Sequence, residues 1–345
     1  MSSDPQPQPS HYSTRSHGFW SVLFALIGNG IITIIKFIGF LMSGSGALFS
    51  ESIHSFADTL NQSLLMVGIK RSSKSANSDF SYGFGKERFL RALISACGIF
   101  FIGAGITLYH GVLSFFHGQE IILNNFIFII LAISFVVEGF TFGAARRELK
   151  HRNPHMKIRN LLIHGDPVTL AVVYEDGIAL IGVLIAATSL LLYSITGNPL
   201  RDSVGSVLIG VLLGIMALFL IHKNRQFLIG KSIPEHIKDD IIELLEQEDV
   251  IEKVIDFKSG ILDIDAYRIK CEIECNEIGL LKEISKHNFL KKEYERVKDD
   301  YQDFLEFCID LTSRVPRILG TKIDEIEKKI KTRFPQIKHI DIEIN

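Results

Sequence analysis

Glu51, His54, Asp58 and the pair Asn61-Gln62 recur at three- and four-residue intervals, which places them on one face of a helix. An imidazole and a carboxylate four residues apart can converge on one point, and such a pair supplies two ligands to a divalent transition metal. A second acidic focus, Glu175-Asp176, lies between Ala171-Val172-Val173-Tyr174 and Gly177-Ile178-Ala179-Leu180. Neighbouring residues of a helix point about 100° apart, so the two carboxylates cannot aim equally well at one ion. One of them is expected to face the 51–62 segment. The other is expected to hold a proton, a water or a basic partner, and Lys36 is the candidate for that partner. No nucleophile stands beside a base, so the chain is not read as an enzyme.

The elements that must hold these residues are membrane spans. A helix crossing a bilayer needs about 20 mostly apolar residues, because its backbone must satisfy itself where there is no water. Six stretches qualify, roughly 18–42, 47–69, 92–116, 121–145, 167–195 and 203–222. Isolated charges inside them, Lys36, Glu51, Asp58, Glu138, Glu175 and Asp176, are costly unless paired, hydrated or bound to an ion. That cost makes His54-x-x-x-Asp58 far more telling here than it is in a soluble helix.

Composition agrees with two solvents for one chain. Of 345 residues 47% are hydrophobic, yet 47 of the 76 charged side chains fall after residue 230. Basic residues concentrate in two links, with Lys70, Arg71, Lys74, Lys86, Arg88 and Arg91 in one and Arg146, Arg147, Lys150, Arg152, Lys157 and Arg159 in the other. By the positive-inside rule both termini are cytoplasmic. The tail over 1–17 is polar, and the first apolar stretch exceeds the ~7–15 residues of a signal-peptide core, so it is expected to be retained as an anchor. Basic charge forms no stripe, which excludes a nucleic-acid partner.

Residues 18–230 are therefore read as a six-helix transport domain and 231–345 as a cytoplasmic domain. The latter starts with a helix (EHIKDDIIELLEQ), continues with two strands around Gly260, and closes with a helix (TKIDEIEKKIKTRF) and a strand (IKHIDIEI). Apolar and charged residues alternate over Ile269–Cys275, as a sheet with one wet face requires. A charged helical insertion is expected at about 278–313. The result is an α+β module of ferredoxin-like type. Cys271 and Cys275, roughly 13 Å apart at ~3.3 Å per residue, are too distant to share an ion and are read as core residues.

SGALFSESIHSFADTLNQ, SYGFGKERF, EDGIALIGV, DSVGSVLIGVLLG and RFPQIKHIDIEI, in this order, resemble the cation diffusion facilitators over about residues 18–345. ADTLNQ, Lys36, EGFTFGAARRE and the Glu-Asp pair resemble the zinc-transporter-nine-like branch. The resemblance implies a homodimeric exporter with six spans and a cytoplasmic ferredoxin-like domain that exchanges zinc or a similar ion for protons. It implies His54, Asp58 and Asp176 as metal ligands. Val172 stands where the family's second histidine would be, so Glu175, Glu51, Asn61 or water must complete the shell. Phe84 replaces a loop histidine of some relatives. His339 and Asp341 match a His-x-Asp metal pair of others, but Ile255 and Glu272 stand where its further histidines would be, and a solvated strand face is favoured there.

The reading is an efflux transporter of the cell membrane, with an organelle membrane as the alternative. Its cargo is a divalent cation, zinc before manganese, iron or cobalt, exchanged for protons. Its partners are the bilayer, the ion, protons and a second copy, and no resident cofactor is required. The rival readings are a transport-inactive subunit of a heteromeric transporter and a membrane metal sensor.

Overall fold

The computed structural model describes residues 15–72, 74–117, 121–152 and 167–345. Most of the tail over 1–17 and the segment 153–166, with Lys157 and Arg159, lie outside the described residues. The chain divides into two units, Met1–Ser75 with Glu87–Arg225, and Ala76–Lys86 with Gln226–Asn345.

The helices of the first unit are α1 (Arg15–Ser43), α2 (Gly46–Ser72), α3 (Glu87–Gly98), a π-helical segment (Ile99–Ala104), α4 (Gly105–His117), α5 (Asn125–Arg152), α6 (Pro167–Thr196) and α7 (Leu200–Ile229), the last running on into the second unit. Among the described residues five stretches are long and apolar enough to cross a membrane: Leu26–Ser43, Glu87–His117, Asn125–Arg147, Val173–Thr196 and Leu200–Ile229. With its 27 residues α2 has the length, but it also carries Glu51, His54, Asp58, Asn61 and Gln62.

The bundle differs from a water-soluble one in that apolar side chains cover its exterior as well as its core. Ile34 and Leu41 of α1, Phe101 of the π segment, Val136 and Phe140 of α5, and Ile215 of α7 are more than half exposed, whereas Lys36, Ser50, Glu51, Ser52, His54 and Ser206 are buried. Hydrocarbon around the helices favours this order, because apolar side chains lose nothing there and polar ones must find partners inside. The chain is a multi-pass membrane protein. The helix that carries most of this polar set, α2, is also the central one, touching α1, α3, α4 and α6. Small residues bring the backbones together: a Cβ on Gly111 of α4 would lie 2.9 Å from Val207 Cγ2, and one on Gly210 of α7 2.9 Å from Leu108 Cγ.

The second unit holds α8 (Glu235–Glu246), β1 (Ile251–Asp263), β2 (Ala266–Cys275), α9 (Glu277–Ile284), a 3-10 turn (Lys286–Asn288), α10 (Phe289–Val297), α11 (Tyr301–Arg333) and β3 (Ile337–Ile344). The sheet order is β1-β2-β3, with β1 antiparallel and β3 parallel to β2. Ile269, Cys271 and Ile273 of β2, Ile241 and Leu245 of α8, and Ile326 and Ile330 of α11 are all buried. Burial pushes the Cys271 thiol up to about 12, as a core position does.

Two expectations about these elements need correction. Gly260 is not the turn: it pairs with Arg268 inside β1, and the hairpin reverses at Ile264-Asp265. The closing helix does not begin near Thr321. It starts at Tyr301, where the Asp300 side chain accepts from the Gln302 amide at 2.6 Å, and runs through Pro316 without interruption. Proline has no N–H to donate and its ring crowds the carbonyl four residues back, yet the helix continues through it.

The segment 76–86 belongs to this unit. Tyr82 meets the His339 ring edge-on at 5.0 Å and carries the Arg268 guanidinium over its face at 4.5 Å. Gly85 passes so close to β1 that a Cβ would lie 2.6 Å from the Leu262 carbonyl oxygen. Gly83 takes a φ of 77°, open to glycine at no cost. The Tyr82-Gly83-Phe84-Gly85 motif is thus a docking loop, with Phe84 against Phe80 at 4.6 Å.

Candidate metal centre

The N-terminus of α2 is fixed by a carboxylate from another helix. Asp202, in the first turn of α7, accepts from Ser45 Oγ at 2.6 Å and from the Gly46 amide at 2.5 Å. One turn further on, Ser50 and Ser206 share a hydrogen bond of 2.6 Å. An acid at a helix N-terminus satisfies otherwise unpaired amides and opposes the helix dipole, so α2 enters the bundle at a defined height and rotation.

The polar face of α2 then unrolls toward three partners in turn. Glu51 Oε2 receives Lys36 Nζ of α1 at 2.8 Å, and the same ammonium donates to Glu138 Oε1 of α5 at 2.7 Å. Glu51 Oε1 presses against Gly182 of α6, where any Cβ would overlap it. His54, three residues on and 3% exposed, has Nε2 3.5 Å from Asp58 Oδ2. Asn61 Nδ2, at the next turn, donates to Glu175 Oε1 of α6 at 2.8 Å.

The expected partnership between Lys36 and the Glu175-Asp176 pair is therefore corrected. Lys36 sits on α1, whose neighbours are α2 and α5, and there it is already doubly occupied. Both acids of α6 turn toward α2 instead. The charge of Glu175 interacts with Asp58 and His54, and that of Asp176 with His54 and Asp58. Glu51 has given one oxygen to Lys36, which leaves His54, Asp58, Glu175, Asp176 and Asn61 as the groups that face one another between α2 and α6.

Among the described residues His54 Nε2 is buried without a hydrogen-bond partner, 3.5 Å from Asp58 Oδ2. Such an imidazole beside carboxylates has the donor set of a borderline divalent cation. Among the described residues no three His, Cys, Asp or Glu side chains come close enough together to hold an ion as they stand. Two ionised carboxylates repel each other, so a cation between Asp58 and Asp176 would relieve that repulsion.

In the second unit, His339 is engaged by Tyr82 and pairs across the strands with Arg268, while Asp341 is exposed opposite Lys270. Burial first, then Arg268 and Lys331, hold the His339 imidazole below its ordinary range. The residues missed by sequence reasoning are Asp202 and Glu138. The first lay just outside an uncharged stretch, and the second was visible only as an isolated charge.

Comparison with known proteins adds an independent finding. Residues 22–229 match the family model of the cation efflux transmembrane domain. The chain is 37% identical over 330 residues to the proton-coupled zinc antiporter SLC30A9, mitochondrial, of Homo sapiens, covering 94% of this chain and 58% of the relative. It is 34% identical to the protein of that name from Xenopus laevis, with 94% and 59% covered. To metal tolerance protein C4 of Arabidopsis thaliana it is 33% identical, with 95% and 73% covered. The chain thus spans little more than half the length of the SLC30A9 relatives. An apolar-skinned bundle with an imidazole and acids at its centre, matched over α1 to α7 by one family model, makes this chain a member of the cation efflux family, of the SLC30A9-like branch.

Proposed function

We propose that the chain is a secondary active exporter of a divalent cation, zinc first, driven by proton antiport. His54, Asp58 and Asp176 are its ligands, and Glu175, steadied by Asn61, completes the shell directly or through water. The observation that carries this reading is the imidazole–carboxylate pair of α2 facing the paired acids of α6 inside a bundle whose exterior is apolar. In this reading α2 is the sixth span, made possible because its polar face is covered by α1, α5 and α6. Both termini are cytoplasmic, the second unit is a ferredoxin-like dimerisation module, and an organelle membrane joins the cell membrane as host, given the mitochondrial designation of the relatives.

The coupling is chemical. A carboxylate or imidazole must lose its proton to hold a metal, so protons entering from the far side displace the ion and metal entering from the cytoplasm displaces protons. Zinc favours four ligands including nitrogen, while manganese accepts an all-oxygen shell, so His54 is the residue that biases the site toward zinc.

Counterflow of radiolabelled zinc in proteoliposomes holding only this chain tests the proposal. Saturable, gradient-driven flux supports it. The lone chain binding zinc without moving it would support the transport-inactive subunit, the reading to which Val172 at the second histidine's position lends weight.

A further inference from the structure

A structural ion pair needs one carboxylate per ammonium, and the centre of this bundle has two. Lys36 is wholly buried between Glu51 at 2.8 Å and Glu138 at 2.7 Å. With all three ionised the cluster carries one net negative charge. The second oxygens, Glu51 Oε1 and Glu138 Oε2, are buried with no hydrogen-bond partner among the described residues. Such a charge in a low-dielectric interior is unfavourable unless something cancels it. A proton cancels it with no rearrangement of the ammonium.

The two carboxylates are not equivalent as acceptors. The Glu51 side chain is fully buried, and its free oxygen is closed in by Gly182. The Glu138 side chain keeps 12% of its surface, the one opening in the cluster. Facing Glu138 are Lys36 from α1, and Glu51, His54 and Asp58 from α2, whose charges all interact with it. The acids of α6, Glu175 and Asp176, act on that same His54 and Asp58. A charge change at Glu138 is thus felt by the groups assigned to the metal.

We infer that Glu138, clamped by Lys36 opposite Glu51, is a proton-binding site of the exchange cycle separate from the metal ligands. The inference rests on the antiport reading above. A proton from the compartment that receives the metal forms one O–H bond at Glu138 Oε2 and takes the cluster from −1 to neutral. The local field around His54 and Asp58 becomes more positive, which weakens their hold on a dication. Metal arriving from the cytoplasm does the reverse, and the proton leaves to the cytoplasmic side. Linkage makes the two effects equal in size.

The test uses the full chain and zinc itself. Protons released on zinc binding are counted in weakly buffered detergent solution, and zinc flux in proteoliposomes is recorded against an imposed pH gradient. Glu138→Gln keeps the size of the side chain and an oxygen for Lys36. It is expected to bind zinc, to release about one proton fewer per ion, and to lose most of the response of flux to the gradient. Glu138→Asp, still titratable but drawn back from Lys36, is expected to release the full number with a displaced pH midpoint, and it decides the matter if the glutamine variant does not fold. Wild-type proton counts and pH profiles in the variants that fold would overturn the inference while leaving the exporter reading intact. Absence of zinc flux in the wild-type chain would instead overturn the exporter reading.

Discussion

Asn61 of α2 donates its amide N–H to Glu175 Oε1 of α6 at 2.8 Å, which ties the turn after the His54-Asp58 pair to the acid beside Asp176. Lys36 is held by Glu51 and Glu138, so it is not a cation that Glu175 neutralises. Glu175→Gln should therefore leave the fold intact and weaken zinc binding about tenfold or more, the scale on which a ligand or its orienting neighbour acts. Adding Val172→His, one turn before Asp176, should restore part of the affinity. Calorimetric zinc titration decides this, and unchanged affinity in Glu175→Gln would leave a three-residue site completed by water or Asn61.

Asp58→Ala should abolish zinc flux with folding retained, since among the described residues no hydrogen bond depends on that carboxylate and it pairs with His54 at 3.5 Å. His54→Asp should keep transport but admit manganese, because oxygen ligands suit harder ions. Flux assays with zinc and manganese in competition measure both effects. Full zinc flux in Asp58→Ala would move the site elsewhere.

Gly182→Ala should disturb the bundle although it adds a single methyl, because that methyl falls on Glu51 Oε1. Glu51 must swing away, and Lys36 loses one of its two carboxylates. A cost of about 1–3 kcal/mol, typical of an overpacked interior, should appear as a lower melting temperature in detergent. Gly182→Ala combined with Glu51→Ala should recover part of the packing and none of the ion pair.

The Tyr82 contacts should stabilise the second unit by about 1–2 kcal/mol, the scale of one aromatic pair plus one cation–π contact. Tyr82→Ala tests this by thermal unfolding. The same contacts bear on pH. His339 is held neutral in the fold, so below about 6.5 the unfolded chain binds a proton that the folded one refuses. Its contribution to stability is complete above that pH and is lost as pH falls toward the lowered folded value. Melting curves between neutral and mildly acid pH should show a slope that His339→Gln flattens.

Much of this could be read along the chain. The polar face of α2 follows from helical spacing alone, and the strict alternation of Ile269, Cys271 and Ile273 announces a half-buried strand. Pairing across the bundle could not be read in the same way. Lys36 and Glu138 are 102 residues apart, and periodicity within each helix says nothing about which helices adjoin. Asp202 was hidden for a similar reason, since it caps a helix that begins 156 residues earlier. Gly260 misled because a glycine between two apolar runs signals a turn, whereas here it pairs with Arg268 in mid-strand.

The π-helical segment Ile99–Ala104 changes the helical phase of the stretch from Glu87 to His117. A wide turn takes up an extra residue without advancing the backbone ladder, so side chains beyond it lag by about 100°. Before it, Ala96 is buried; after it, the close contact with Val207 of α7 belongs to Gly111. One hydrophobic span consequently presents differently phased faces in its two halves. A cysteine-accessibility scan from Leu90 to Phe116 should show two interleaved 3.6-residue periods with a break between Ile99 and Ala104, and no single period should fit both halves.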